Sequence, residues 1–400
     1  MNKIIKCSVV LLFTLLTIDL FLFGGGRVVD FGGVTLRMLL FACCVSFSLL
    51  LIITYRKISK TMVAFVLLAT FLLISASYIS VLRGELNLAS LSPYLFVLLA
   101  IVFSLYPIKF EALFRKYLPY CSIFMAFIYL AFIAALFTGK ASILDVYRFI
   151  PESEVFLRGG EGLVYKGFIF IMLGALYFII CRGNSILKTF FALVCITAIV
   201  FTLTRGFVIS LLLTVLIYMF FNKGTGKFIR FSMLIACVAT PVILLLTRPA
   251  FLFREGSDDT RINDILTFLD YVNDNPQDIA FGSGISGFLG ERPGIENVYM
   301  DVVLHFGLLG LAMLLAIYVK IHLDYKYIAK NIAPSYRKRI DWLYYSIFLL
   351  YLQSTFNPYI NNYIGGVFVV MVLFYFNATR ICLAKLKTKA KSESELFELA

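Results

Sequence analysis

Long apolar runs recur from one end of the 400-residue chain to the other, with mostly short polar connections between them. A hydrocarbon core of roughly 30 Å requires about 20 apolar residues in a helix that rises about 1.5 Å per residue. The runs therefore predict about twelve transmembrane helices. Their expected positions are 4–23, 35–54, 61–82, 92–106, 118–137, 163–181, 187–203, 205–221, 229–247, 298–319, 341–356 and 362–384.

The composition agrees with this pattern. Hydrophobic residues make up 61% of the chain and charged residues 15%, against roughly 25% charged in a soluble domain. A water-soluble globule is excluded, and an open sheet would leave backbone groups unpaired in lipid. We expect an all-α polytopic membrane protein, with residues 1–400 forming a single integral membrane domain. The first run has no small-residue cleavage site after it, so we expect a retained helix.

Basic residues indicate the orientation. If both termini are cytoplasmic, most Lys and Arg residues lie beside helix ends on the cytoplasmic side. This is the distribution that the positive-inside rule expects. The net charge of +13 then reflects topology and anionic membrane lipid, and nothing favours nucleic-acid binding. The charged tail 385–400 is expected to be cytoplasmic and frayed.

Two connections are long, about 138–162 and 248–297, and both fall on the extracytoplasmic side in this topology. Loops of this length are usually functional or disordered. Within the second loop, capping candidates at 257–260 precede an apolar face formed by Ile262, Ile265, Leu266, Leu269 and Val272. This pattern predicts a helix over 261–272 that lies on the membrane surface or closes over the bundle.

Five arginines lie on the predicted extracytoplasmic side: Arg148, Arg158, Arg205, Arg254 and Arg261. Arg205 sits in TLTRG (202–206), where two apolar runs almost touch and an arginine is costly without a partner or a wet cavity. Guanidinium groups match phosphate oxygens in a bidentate geometry, so the cluster favours a pyrophosphate site. The alternative is that each arginine pairs with acids in its own loop.

Acidic and histidine side chains follow at the start of a predicted span. Glu296 lies at the N-terminal mouth of this span, where it could act as a general base. The alternative is that it is only an N-terminal acid stabilised by the helix dipole. Asp301, about one turn deeper, could hold an arginine. His305 is more often a hydrogen-bonded packing residue than a catalyst.

The glycine-rich segment, the cysteines and the histidines give weaker indications of a functional site. The segment 281–287, FGSGISG, contains GxGxxG but lacks the strand and helix of a dinucleotide site, so we interpret it as a flexible loop beside a substrate cleft. The eight cysteines lie in apolar runs or at their ends, and the chain has two histidines. We expect neither a disulfide nor a metal site nor a cofactor.

The order of these motifs resembles the O-antigen polymerase and ligase superfamily. The resemblance rests on a TxxRG-like segment (Thr202, Arg205, Gly206), a loop with an early arginine (Arg261), a GxG (282–284), and ENVYM (296–300) leading to GLLG (307–310). It covers mainly residues 200 to 310, and the loop with Arg148 and Arg158 is a weaker second element.

The resemblance implies a polymerase that joins oligosaccharide repeat units into O-antigen or exopolysaccharide chains, as a metal-independent glycosyltransferase with a GT-C-like fold. Its donor would be an undecaprenyl-pyrophosphate-linked oligosaccharide, used on the outer face of the cell inner membrane. Arg205 and Arg261 would bind phosphate, Arg148 would be the polymerase-loop arginine, and Glu296 would be the base in an inverting reaction. A chain-length regulator and a flippase of the same pathway are the implied protein partners.

Three other functions compete with polymerisation. Ligases of the superfamily typically carry histidine where this chain has Glu296, which favours the polymerase. A flippase or other transporter is often built as two similar halves, and no half-repeat is visible here. A structural scaffold would have no need for five outward arginines.

Overall fold

The computed structural model describes residues 2–25, 34–55, 59–148, 155–158, 162–181, 185–221, 257–286 and 295–398. The expected span at 229–247 and Arg254 lie outside these ranges. The described helices up to the first long loop are α1 (Asn2–Phe23), α2 (Leu36–Tyr55), α3 (Lys60–Leu82), a 3-10 helix (Leu88–Leu98), α4 (Leu99–Leu105) and α5 (Pro107–Phe137). They are followed by α6 (Ile143–Tyr147), α7 (Phe168–Cys181), α8 (Ile186–Phe201), α9 (Arg205–Phe221), α10 (Ser257–Asp274), α11 (Asp278–Phe281), α12 (Val298–Asn331), α13 (Pro334–Gln353) and α14 (Tyr363–Glu398).

The structure confirms an all-helical membrane architecture in its main features. Six described helices are long and apolar enough to cross a membrane: Ile4–Phe23, Leu36–Tyr55, Lys60–Leu82, Pro107–Phe137, Val298–Asn331 and Tyr363–Thr388. Four shorter apolar helices accompany them: Ser90–Leu105, Phe168–Cys181, Ile186–Phe201 and Arg205–Phe221. The count of twelve spans stays a prediction.

One element departs from the all-α expectation. Strands β1 (Val155–Arg158) and β2 (Gly162–Tyr165) form an antiparallel hairpin in which Val155 faces Tyr165 and Arg158 faces Gly162. The expected start of a helix at 163 was therefore wrong, because those residues belong to β2 and α7 begins at Phe168. The expected fraying of the tail was also wrong, since α14 continues to Glu398.

Contacts between helix ends define the two ends of the bundle. At one end of the bundle, Gly24 after α1 packs against Gly167 before α7, and the amide of Val298 at the start of α12 donates to Ser354 O after α13 (3.0 Å). We call this the loop end, because β2, which follows the first long connection, and Glu296, which ends the second, both lie here.

The opposite end, which we call the basic end, carries many of the charged side chains. Arg339 of α13 forms an ion pair with buried Glu111 of α5. Asp324 of α12 pairs with Lys320, and with Arg380 Nε of α14 at 3.0 Å. Between the two ends the core is apolar and aromatic, with Phe13, Phe103, Phe110, Phe114, Phe168 and Trp342 among its fully buried side chains.

Helix α12 is broken at Gly307, and this break shapes the loop end. Gly307 has φ +66° and ψ −168°, which are not helical values. The carbonyl of Leu304, one turn earlier, accepts hydrogen bonds from Ser283 N (2.7 Å) and Ser283 Oγ (2.8 Å). A Cβ at Gly307 would overlap the backbone of Ala280. The break thus lets the chain after α10 pack directly on the α12 backbone.

Candidate functional site

Glu296 is fixed at the beginning of α12. Asn297 caps this helix, because its Oδ1 accepts hydrogen bonds from Tyr299 N (3.0 Å) and Met300 N (3.4 Å). The next residue, Val298, is tied to the end of α13 through Ser354 O. Such an N-cap holds the preceding residue at the helix mouth. The expectation that Glu296 lies at the mouth of this helix is therefore confirmed.

The structure brings Arg261 and Glu296 together. Arg261 Nε donates to Glu296 Oε2 at 3.2 Å, and the two side chains are 28% and 41% exposed. An ion pair with this exposure contributes little to stability, about 0–1 kcal/mol. Its importance is positional, since it places a cation and a carboxylate side by side in a region that solvent can reach.

Helix α10 presents Arg261 from its inner face. Phe268 and Tyr271 on the same face pack around Ile295, Leu304 and Met300. The opposite, apolar face is exposed: Ile262, Ile265, Leu266 and Leu269 are each about half accessible. Helix α10 thus confirms the predicted helix, while its predicted apolar face is turned away from the bundle.

Asp301 fixes the backbone in front of Glu296. Its Oδ1 accepts a hydrogen bond from Ile295 N (3.2 Å), and its Oδ2 accepts one from Asn361 Nδ2 (2.7 Å). His305 is 4% exposed, and its Nδ1 lies 2.8 Å from the carbonyl oxygen of Asp301. Among the described residues, the partners shown for Asp301 are Ile295, Asn361 and His305 and not an arginine, and the interpretation of His305 as a packing residue agrees with its surroundings.

Arg205 begins α9 directly after the turn that separates α8 from α9. In that turn, Thr202 Oγ1 donates to Ile199 O (2.7 Å) and Thr204 N donates to Thr202 Oγ1 (3.2 Å). Arg205 itself is partly buried. A Cβ on its neighbour Gly206 would lie 3.0 Å from the Phe356 side chain. The expected break between two helices at TLTRG is confirmed, and Arg205 lies at the loop end.

The remaining predicted arginines are Arg148, Arg158 and Arg254. Arg148 is 75% exposed, and its Nη1 lies 3.3 Å from Asp145 Oδ1 of its own loop, as the alternative interpretation expected. Arg158 is the last residue of β1, and Arg254 lies outside the described residues. Within the described part of the chain, Arg261 and Glu296 are the two predicted site residues shown in contact.

The ion pair between Arg83 and Asp278, which the sequence did not predict, holds α10 against the end of α3. Arg83, just after α3, donates through Nη2 to Asp278 Oδ1 (2.6 Å) and through Nη1 to Tyr271 Oη (3.4 Å). Tyr271 Oη also donates to the second oxygen of Asp278. The hydrogen bond to Asp278 raises the pKa of Arg83, and burial, then the bond to Asp278, raises the pKa of Tyr271. Both groups keep their protons at neutral pH.

Residues 282–286 form a buried clamp between α3 and α12, so the interpretation as a flexible loop was wrong. Ile285 N donates to Ala76 O (3.2 Å), and Ser286 N donates to Ser80 Oγ (3.1 Å). Gly282 has φ +80°, and a Cβ there would overlap the backbone of His305. The first glycine of the motif is therefore required by close backbone approach.

Metal ligands do not cluster in the described ranges: no group of three or more His, Cys, Asp or Glu side chains there could hold an ion. Among the described residues, Arg261 and Glu296 are the charged groups shown in contact, and Arg205 begins α9 at the same end of the bundle. Together they can bind an anion and accept a proton from a hydroxyl.

No family model matches the sequence. The chain is similar to a protein named O-antigen polymerase from Shigella flexneri, with 26% identity over 323 residues that cover 78% of this chain and 80% of that protein. This similarity confirms the resemblance that the order of motifs suggested.

Proposed function

We propose that this protein is an O-antigen polymerase (Wzy type) that joins oligosaccharide repeat units into O-antigen chains. The similarity to the Shigella flexneri protein over most of both lengths supports the activity. The contact between Arg261 and Glu296 is the observation that supports the site. The repeat units are carried on a lipid pyrophosphate, and the reaction takes place at the outer face of the cell inner membrane.

The reaction transfers a growing glycan from its lipid pyrophosphate to a hydroxyl of the next repeat unit. Glu296 accepts the proton of that hydroxyl while the hydroxyl oxygen attacks the anomeric carbon of the growing glycan. The bond between this carbon and the pyrophosphate oxygen breaks with inversion, and the lipid pyrophosphate leaves with the bonding electron pair. Arg261 and Arg205 stabilise the negative charge that grows on the leaving group.

The difference in charge between the two ends of the bundle supports an assignment of the two sides of the membrane. Lys188, Lys320, Arg339 and Arg380 all lie at the basic end, which we assign to the cytoplasm with both termini. Glu296 and Arg261 then face outward. The function needs no metal, because arginines supply the positive charge in a GT-C-like site.

The experiment that tests this function is polymerisation in proteoliposomes with a lipid-pyrophosphate-linked oligosaccharide and a chelator. The parent protein should produce a ladder of products. Glu296→Gln should lower the rate by about 10²–10⁴-fold, the usual contribution of a general base. Arg261→Ala should lower it by about 10²–10³-fold, as expected for losing one group that stabilises the leaving charge.

A matched control is Glu85→Gln, which removes an exposed carboxylate at the same end of the bundle and should polymerise normally. Normal ladders from correctly inserted Glu296→Gln protein would refute the assignment of the base. A parent protein that moves lipid-linked units across the bilayer without extending them would establish a flippase instead.

A further inference from the structure

The connection between α13 and α14 lies between the two charged parts of the proposed site. Its first residue, Ser354, accepts the amide hydrogen of Val298, two residues after Glu296. Its Asn361 donates to Asp301 Oδ2 at 2.7 Å. On the other side, its Phe356 packs against Gly206, next to Arg205. The connection thus touches the elements that carry both Arg205 and Glu296.

The same connection and the residue before it hold amide groups that have no hydrogen-bond partner among the described residues. Gln353 is 0% exposed, and neither its Nε2 nor its Oε1 is bonded. Asn357 Nδ2 and Asn361 Oδ1 are also buried and unbonded. The group therefore offers two donor atoms and two acceptor atoms within nine residues.

Local hydrogen bonds hold these amides in a compact turn. Asn357 N donates to Gln353 O (3.1 Å), which places the two side chains one helical turn apart. Ile360 N donates to Ser354 Oγ (3.3 Å), which folds the chain back beside that turn. Asn361 is further fixed by Asp301. Their backbone is thus held without using the amide atoms named above.

Buried amides without partners are uncommon, since roughly nine-tenths or more of buried polar groups in proteins are hydrogen-bonded. Gln353 and two amides on the connection that follows it therefore indicate a polar partner other than the described residues. A sugar hydroxyl both donates and accepts, and so does an acetamido group, so neutral amides suit a saccharide. The arginines are better suited than neutral amides to bind the pyrophosphate, because they carry positive charge.

We propose that Gln353, Asn357 and Asn361 form a saccharide subsite that recognises hydroxyl or acetamido groups of the repeat unit beside the reacting bond. This inference rests on the proposed function and adds the residues that select the sugar. Asn361 would also connect sugar recognition to the position of Glu296, because its amide nitrogen is bonded to Asp301.

The test compares Gln353→Met and Asn357→Leu with the parent in the proteoliposome assay, using the lipid-pyrophosphate-linked oligosaccharide as the probe. Methionine resembles glutamine in size and removes an unsatisfied buried polar group, so the variant should melt at the same temperature or higher. Its KM for the oligosaccharide should rise about 3- to 10-fold, the effect of losing one net hydrogen bond.

The control variant is Asn377→Leu, which removes a buried amide at the basic end, where it accepts a hydrogen bond from Lys320 (3.4 Å). Its KM should match that of the parent. Unchanged KM values for both Gln353→Met and Asn357→Leu would overturn the proposal. So would a fall in melting temperature that matches the loss of activity, because the amides would then bind structural water. A parent that forms no ladder would instead refute the function itself.

Discussion

The ion pair between Arg83 and Asp278 provides a quantitative test of how α10 is held against the bundle. Asp278→Asn keeps the shape of the side chain and removes its charge. The carboxylate is 8% exposed and the guanidinium 33% exposed, and they are 2.6 Å apart. A hydrogen bond between charged groups contributes about 1.5–3 kcal/mol. Because a third of Arg83 is in solvent, we expect the lower part of that range, about 1.5–2 kcal/mol.

This loss should appear as local opening of α10 and not as unfolding of the bundle. Helices α10 and α11 attach at the loop end, and local units of a protein can open with much less free energy than the whole fold. A change of about 1.5–2 kcal/mol corresponds to about 10- to 30-fold more frequent opening. Hydrogen exchange of α10 amides in proteoliposomes should accelerate by that factor, while amides of α7 should be unaffected.

Two further variants complete this experiment. Asp270→Asn removes an exposed carboxylate from the same helix and should leave exchange unchanged. Arg83→Met combined with Asp278→Asn should open α10 by less than the sum of the two single effects, because both single changes break one interaction. Exchange of α10 in Asp278→Asn at the parent rate would show that the ion pair does not hold α10 in place.

Two other predictions concern single positions. Gly307→Ala should lower the melting temperature far more than the control Gly139→Ala. Both glycines have positive φ (+66° and +68°), but an added Cβ would overlap the Ala280 backbone at position 307 and would meet open space at position 139. Equal shifts in melting temperature would mean that the overlap with Ala280 does not destabilise the fold. The resemblance assigns Arg148 to the polymerase loop, so Arg148→Ala should slow polymerisation. It should leave the melting temperature unchanged, because an exposed ion pair adds only about 0–1 kcal/mol of stability. The control Asp145→Ala removes the partner and keeps the guanidinium, so it should polymerise normally, and a normal rate in Arg148→Ala would remove Arg148 from the site.

Local sequence patterns predicted the features that depend on neighbouring residues. The break at TLTRG follows from threonines, arginine and glycine between two apolar runs, and α10 follows from its 3.6-residue period. The predicted capping residues 257–260 form the first turn of α10 itself. The position of Glu296 at a helix mouth follows from Asn297, which is a strong capping residue. These signals act within a few residues, so a single sequence contains them in full.

Features that depend on distant partners could not be predicted in the same way. Arg83 lies in a short connection, and its partner Asp278 is 195 positions away. The break at Gly307 requires Ala280 of another segment, while a single glycine in an apolar run is usually compatible with a continuous helix. Strands β1 and β2 are four residues each, which is too short for periodicity to distinguish a strand from the start of a helix.

The distance between Arg261 and Glu296 is set by two separate anchors, and this has a consequence for catalysis. Arg261 is positioned by α10, which is attached to α3 through Asp278 and Arg83. Glu296 is positioned by α12 through Asn297 and Asp301. The direct bond between the two side chains is weak, so either anchor can be loosened without unfolding the other. Catalysis by proximity requires fixed geometry. Asp278→Asn should therefore reduce polymerisation, although Asp278 is not bonded to Arg261 or Glu296. An unchanged rate of polymerisation together with faster opening of α10 would show that Arg261 acts without a fixed position.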